Sequence, residues 1–159
     1  QADADWLRFR DQGGYSREVL SHFLFLTQRL LGPAALISAS PVYPDDPALC
    51  ETHISATLNC NGVPVSVLGS SGGAGPDRVE MTIWGSQRSH RLHDWFDLQS
   101  SDGGEWQQEF AEVKDTRGEA FGLQLDNVAA WMDGRDHILP SARDALAVQE
   151  LVEAMLAGK

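Results

Sequence analysis

The dipeptide Asn61-Gly62 limits the fold of this chain more than any other feature, because it sits between two runs of alternating apolar and polar residues, Glu51 to Cys60 and Val63 to Ser70. Asn-Gly accepts positive φ at both central positions of a type I′ turn, whose twist matches that of two antiparallel strands. The pattern therefore specifies a hairpin. Ile54, Ala56 and Leu58 fall on one side, with His53, Ser55, Thr57 and Asn59 on the other. One sheet face is thus expected to meet a core while the other stays open to water or a partner.

Upstream, GGYSREVLSHFLFLTQRLLG (Gly13 to Gly32) reads as a helix. Val19, Leu20, Phe23, Leu24, Leu26, Leu30 and Leu31 recur at helical spacing, and Gly32-Pro33 ends the run. The apolar content predicts a mostly buried helix. At about 100° per residue, Glu18, His22, Phe25 and Arg29 share a narrow arc. A carboxylate one turn before an imidazole can fix its tautomer and exchange protons near neutral pH. The alternative is an ordinary i,i+4 pair on a partly solvated face, stabilising by a few tenths of a kcal/mol. Arg29 can hold a carboxylate or phosphate bidentately, or is simply a solvated helix residue.

Beyond the helix, Ala34 to Tyr43 reads as a strand ended by the two prolines of PDDPA. The glycine-rich SSGGAGPD precedes an alternating strand from Arg78 to Trp84. RSHRLHDWFDLQ is read as a fifth strand and Glu105 to Val113 as a sixth. Glu119 to Met132 is helical in spacing, with Gly134 beyond its end. Pro140 and the N-cap Ser141, with Asp144 three residues on, open a last helix. This order predicts an α+β fold: an open, largely antiparallel mixed sheet of about six strands with helices packed on one face. With 159 residues, the chain is expected to form a single domain, 1–159.

Twelve basic against twenty-three acidic side chains give a net charge of −11, which argues against nucleic acid and anionic membrane surfaces as partners. No apolar run is long enough for a bilayer span. Cys50 and Cys60 lack the spacing of a zinc or redox site and are read as free thiols of a reducing cytosol. His90, His93 and Asp94 make a poor metal set, since residues three apart on a strand face opposite ways, and no metal is expected. Trp84, Trp95 and Trp106 line a sugar site or a subunit contact, or pack a core. Gly72-Gly73-Ala74-Gly75 runs into Pro76 and a strand, so it does not read as a dinucleotide-binding turn. An open sheet face calls for a cover, and a two-fold homo-oligomer supplies one.

The order of a Gly-Gly lead-in, a helix with acid and His at i and i+4 ending in Leu-Leu-Gly-Pro, a strand, an Asn-Gly hairpin, then VEMTIWGS and a closing helix pair over LQLDNVAAWMDGRDHILPSARDALAVQELVEAML resembles the C-terminal domain of the glucose-fructose oxidoreductase, inositol dehydrogenase and MocA family. The resemblance covers about Gly13 to Leu156. It implies the second half of a two-domain oxidoreductase, whose N-terminal Rossmann domain binds NAD or NADP and is not in this chain. A start at Gln instead of Met agrees with a fragment or processed product. It further implies hydride transfer between nicotinamide and a sugar, cyclitol or related polyol, with His22 as acid/base and Glu18, in the place usually held by Asp, as its partner. The chain alone, with no cofactor site and no Rossmann-domain lysine, is expected to be inactive. It implies pairing through the open sheet, too. The alternative is a non-catalytic α+β ligand-binding or dimerisation module.

Overall fold

The computed structural model describes residues 2–158. A 3-10 turn, Ala2–Arg8, and a π-helical turn, Ser16–Leu20, precede helix α1 (Ser21–Leu31). Seven strands follow: β1 (Ala34–Val42), β2 (His53–Cys60), β3 (Val63–Ser70), β4 (Glu80–Ile83), β5 (Ser89–His93), β6 (Asp97–Ser101) and β7 (Gln107–Gln108). Helices α2 (Thr116–Met132) and α3 (Ala142–Leu156) close the chain. The α+β class and the open antiparallel sheets agree with the sequence reading. The strands are shared between a three-stranded sheet, β1-β2-β3, and a four-stranded sheet, β4-β5-β6-β7, in place of one continuous sheet.

The chain divides into two compact units, 1–74 with 140–159, and 75–139. In the first, the hairpin forms as its sequence requires: Cys60 pairs with Val63, and Asn61 and Gly62 have φ of 52° and 86°. Ile54, Ala56 and Leu58 are buried, together with Leu24 of α1 and Val148, Leu151, Val152 and Met155 of α3, and these form the core. Both helices pack on that one face. Ser141 and Asp144 complete a reciprocal capping box at the start of α3. The Asn61 side chain donates to the Leu31 carbonyl at 3.1 Å, so the β-turn also caps the end of α1. Gly32, at φ 94°, leaves the space that this side chain occupies.

α1 is less buried than its apolar content predicts. Of its apolar residues only Leu24 is fully buried, and Leu30 is 56% exposed. The turn that leads into it, Ser16–Leu20, is π-helical and not α-helical.

In the second unit, β4 to β7 form an antiparallel meander in which Met81, Leu92 and Leu98 lie side by side. The single strand read from RSHRLHDWFDLQ is two strands. Asp94 and Trp95 take positive φ, 44° and 72°, and His93 pairs with Asp97 across the turn. A tryptophan in that conformation carries no turn signal in sequence, since bulky side chains rarely occupy it. The strand read at Glu105 to Val113 shrinks to Gln107–Gln108. α2 starts at Thr116, where Asp115 caps it by accepting from the Gly118 amide at 2.8 Å.

Candidate functional site

The site residues hang on the lead-in to α1. Gly13 lies so close to the Leu7 carbonyl that a Cβ has no room. Gly14, at φ 103°, faces the Glu51 carboxylate, whose Oε2 would lie 2.6 Å from an added Cβ. That carboxylate is 1% exposed and accepts the Ser16 amide at 2.8 Å. A buried carboxyl oxygen thus satisfies the first free N–H of the helical segment. The neighbouring Tyr15 hydroxyl is pushed well up from its usual value, first by burial and then by the Glu51 charge.

From this anchor the chain makes the π-helical turn Ser16–Leu20, which carries Glu18, and enters α1, which carries His22. Four α-helical residues overshoot a full turn by about 40°, and the wider π turn removes part of that overshoot. Glu18 and His22 therefore lie closer to one line along the helix than uniform α-helical spacing predicts. Both are exposed. π-Helical turns recur at functional sites.

Glu18 lines a polar cleft of about 460 Å³ with Asp11, Gln12, Arg17, Gln149 and Glu153. Arg17 fastens its wall. Its Nε and Nη2 donate to Glu153 of α3 at 2.7 and 2.9 Å, and its Nη1 donates to the carbonyls of Arg10 and Gly13 at 3.0 and 2.7 Å. The bonds to Glu153 raise the Arg17 pKa, and the same bonds lower that of the Glu153 carboxyl. Asp11 and Gln12 also line a second cavity of about 720 Å³ with Trp6, Phe9 and Arg10. The two cavities share that wall.

Arg29 lines neither cavity. It stands in the last turn of α1, and its charge adds to the Ser141 hydrogen bonds in lowering the Asp144 carboxyl pKa. Cys50 and Cys60 are free thiols, both pushed up by burial. His93 pairs with Asp94 at 3.1 Å and Asp97 at 3.8 Å. Among the described residues no three His, Cys, Asp or Glu are grouped to hold a metal. Trp84 and Trp95 are exposed, and the Trp84 ring lies 5.8 Å from that of Trp106, over which Arg91 is stacked at 4.6 Å. Glu51, Arg17, Glu153 and Arg10 escaped the sequence reading. The paired glycines were the one signal that something packs tightly against this turn.

No protein-family model matches the sequence, and no characterised protein matches it by sequence comparison. Solved structures do match its fold. The dehydrogenase MviM from Clostridium difficile superposes with a TM-score of 0.73 at 14% identity, over 96% of this chain and 49% of that one. The WlbA dehydrogenase from Bordetella pertussis, in complex with NADH and UDP-GlcNAcA, gives 0.68 at 20% identity, over 96% and 48%. The super-repressor mutant of Gal80p from Saccharomyces cerevisiae gives 0.66 at 14%, over 90% and 47%. The chain spans about half the length of the structures it matches. At these identities the likeness establishes the fold.

Proposed function

We propose that this chain is the C-terminal, substrate-side domain of an NAD(P)-dependent oxidoreductase of the glucose-fructose oxidoreductase, inositol dehydrogenase and MocA family. Its substrate is a sugar, cyclitol or related polyol. The observation that carries this reading is the superposition of nearly the whole chain on half of a dehydrogenase, with Glu18 and His22 on the exposed side of the helix that the sequence singled out.

The residues present do not fit a dinucleotide. The glycines at 72, 73 and 75 lead into β4 and no helix starts there, so the turn lacks the helix N-terminus that holds a pyrophosphate. A nicotinamide held by a separate nucleotide-binding domain would supply the hydride acceptor, and no residue of this chain is assigned to hold it. His22 accepts the proton of the substrate hydroxyl as the C–H bond breaks, and Glu18 orients the imidazole and stabilises its cation. The domain pairs with a second copy through the outer face of β1-β2-β3, and its free thiols suit the cytoplasm.

In the protein that joins this chain to a nucleotide-binding domain, His22→Ala is expected to lower kcat about a hundredfold or more, the usual worth of general acid/base catalysis, with an unchanged melting temperature. This chain by itself should not reduce NAD or NADP with any polyol. Full turnover in the variant removes His22 from the chemistry. A second reading, a non-catalytic binding module, is favoured by one observation: a repressor mutant shares the fold. Under that reading Glu18 and His22 serve only the helix surface.

A further inference from the structure

The larger of the two cavities is lined by an arginine, Arg10, that no carboxylate among the described residues pairs with. Arg10 is exposed, its guanidinium lies 3.7 Å above the centre of the Tyr43 ring, and among the described residues no carboxylate pairs with it. In a chain of net charge −11, carboxylates are plentiful, yet none among the described residues is placed on this guanidinium.

The surroundings hold it still. The Arg10 amide donates to the Ala48 carbonyl at 2.8 Å, and its own carbonyl accepts from Arg17 at 3.0 Å. Tyr43, beneath it, donates its hydroxyl to the Leu156 carbonyl at 2.8 Å. A cation fixed on a stacked ring before any ligand arrives loses little entropy on binding. The rest of the wall divides by chemistry. Trp6 and Phe9 offer aromatic surface, while Asp11 and Gln12 offer acceptors and an amide. About 720 Å³ lies within the range of small-molecule sites.

We propose that this cavity binds a sugar bearing an anionic group. Its carboxylate or phosphate is received by Arg10 in a bidentate contact. Its hydroxyls donate to Asp11 and hydrogen-bond Gln12, and the C–H face of the ring lies on Trp6 and Phe9. Asp11 sets the polarity of the ligand, since it repels an anion placed beside it and accepts from hydroxyls, so the charged end lies at Arg10. Asp11 and Gln12 also border the cleft of Glu18, so the hydroxyl-bearing end lies toward the proposed acid/base pair. The inference rests on the oxidoreductase reading and narrows its substrate.

Calorimetric titration of the full chain with D-glucuronate, D-glucose 6-phosphate, uncharged D-glucose, inorganic phosphate and acetate tests it. At least one charged sugar should bind about tenfold or more tightly than glucose and than its own free anion, and the tighter of the two identifies the anion. Arg10→Ala should abolish that preference. Trp6→Ala should weaken charged and neutral sugars alike. Both residues are exposed, so melting temperatures should not change. Equal binding of glucose, equal binding of free phosphate, an intact preference in Arg10→Ala, or no binding by any probe overturns the proposal. The titration needs no nicotinamide. Anionic sugar binding with full turnover in His22→Ala sinks the catalytic role and leaves this site standing, whereas polyol oxidation by wild type with no anion preference does the reverse.

Discussion

Arg17 joins three parts of the chain through one guanidinium: the carbonyls of Arg10 and Gly13 and the carboxylate of Glu153 on α3. Its side chain is only 17% exposed, so its removal leaves several acceptors without a donor. Arg17→Met is expected to cost about 2 kcal/mol in urea denaturation, the usual scale for hydrogen bonds to a charged group. The partner adds a pH signature. Arg17's hydrogen bond, above all, holds the Glu153 carboxyl below its usual 4.5. A group whose pKa is lower in the folded state stabilises above the unfolded value and loses that contribution as pH falls through the folded one. The stability gap between wild type and Glu153→Gln should therefore be full near neutrality, shrink below about pH 4.5 and close in stronger acid. A gap independent of pH would mean that the ion pair contributes nothing.

Among the elements, two glycines at positive φ separate backbone strain from crowding. Gly62, at φ 86° in the hairpin turn, has nothing within 4 Å of an added Cβ. Gly62→Ala should cost about 1 kcal/mol, the backbone term alone. Gly14, at φ 103°, adds a collision with both oxygens of the buried Glu51 carboxylate, at 2.6 and 3.0 Å, and should cost about 3 kcal/mol or more. If Gly62→Ala proves the more damaging in denaturant midpoint, Glu51 does not anchor the π turn. The same contrast shows what a sequence can reveal. The Asn61-Gly62 hairpin, the Ser141 capping box and the Gly32 stop are local, so their residues announce them. The start of the π turn is bonded to Glu51, which meets Ser16 across thirty-five residues of chain, and no periodicity encodes that. That Glu18 and His22 share an exposed stretch of helix was legible because helical spacing is local too. The Arg10 cavity was not, because Arg10, Ala48 and Tyr43 come together through long-range contacts such as the strand-like pairing of Phe9 with Leu49. The β5-β6 turn was hidden for a different reason, since Asp94 and Trp95 adopt positive φ without a glycine.

At the scale of the molecule, charge is unevenly placed. The chain carries twenty-three acidic residues, yet no Asp, Glu, Lys or Arg occurs in β1, β2 or β3. The core face of these strands needs no charge in any case. The outer face offers Ser40, Ser55 and Leu68 in register, flanked by Val42 and Ile37, with Leu68 73% exposed. Depletion of charge is what distinguishes the centre of an interface from ordinary surface, and an outer face kept neutral on so acidic a protein suits contact with its own copy. Two molecules of charge −11 repel at long range, so their association should tighten as salt rises from low ionic strength to about 0.15 M, where the Debye length falls to about 8 Å. Sedimentation equilibrium should then show a dimer that weakens at low salt. Leu68→Glu sets a carboxylate opposite its symmetry mate's strands and should yield a folded monomer at every salt concentration, with the same melting profile at high dilution. A wild-type protein monomeric at tens of micromolar and moderate salt, or a Leu68→Glu variant that still dimerises, would assign the neutral sheet face to something other than self-association.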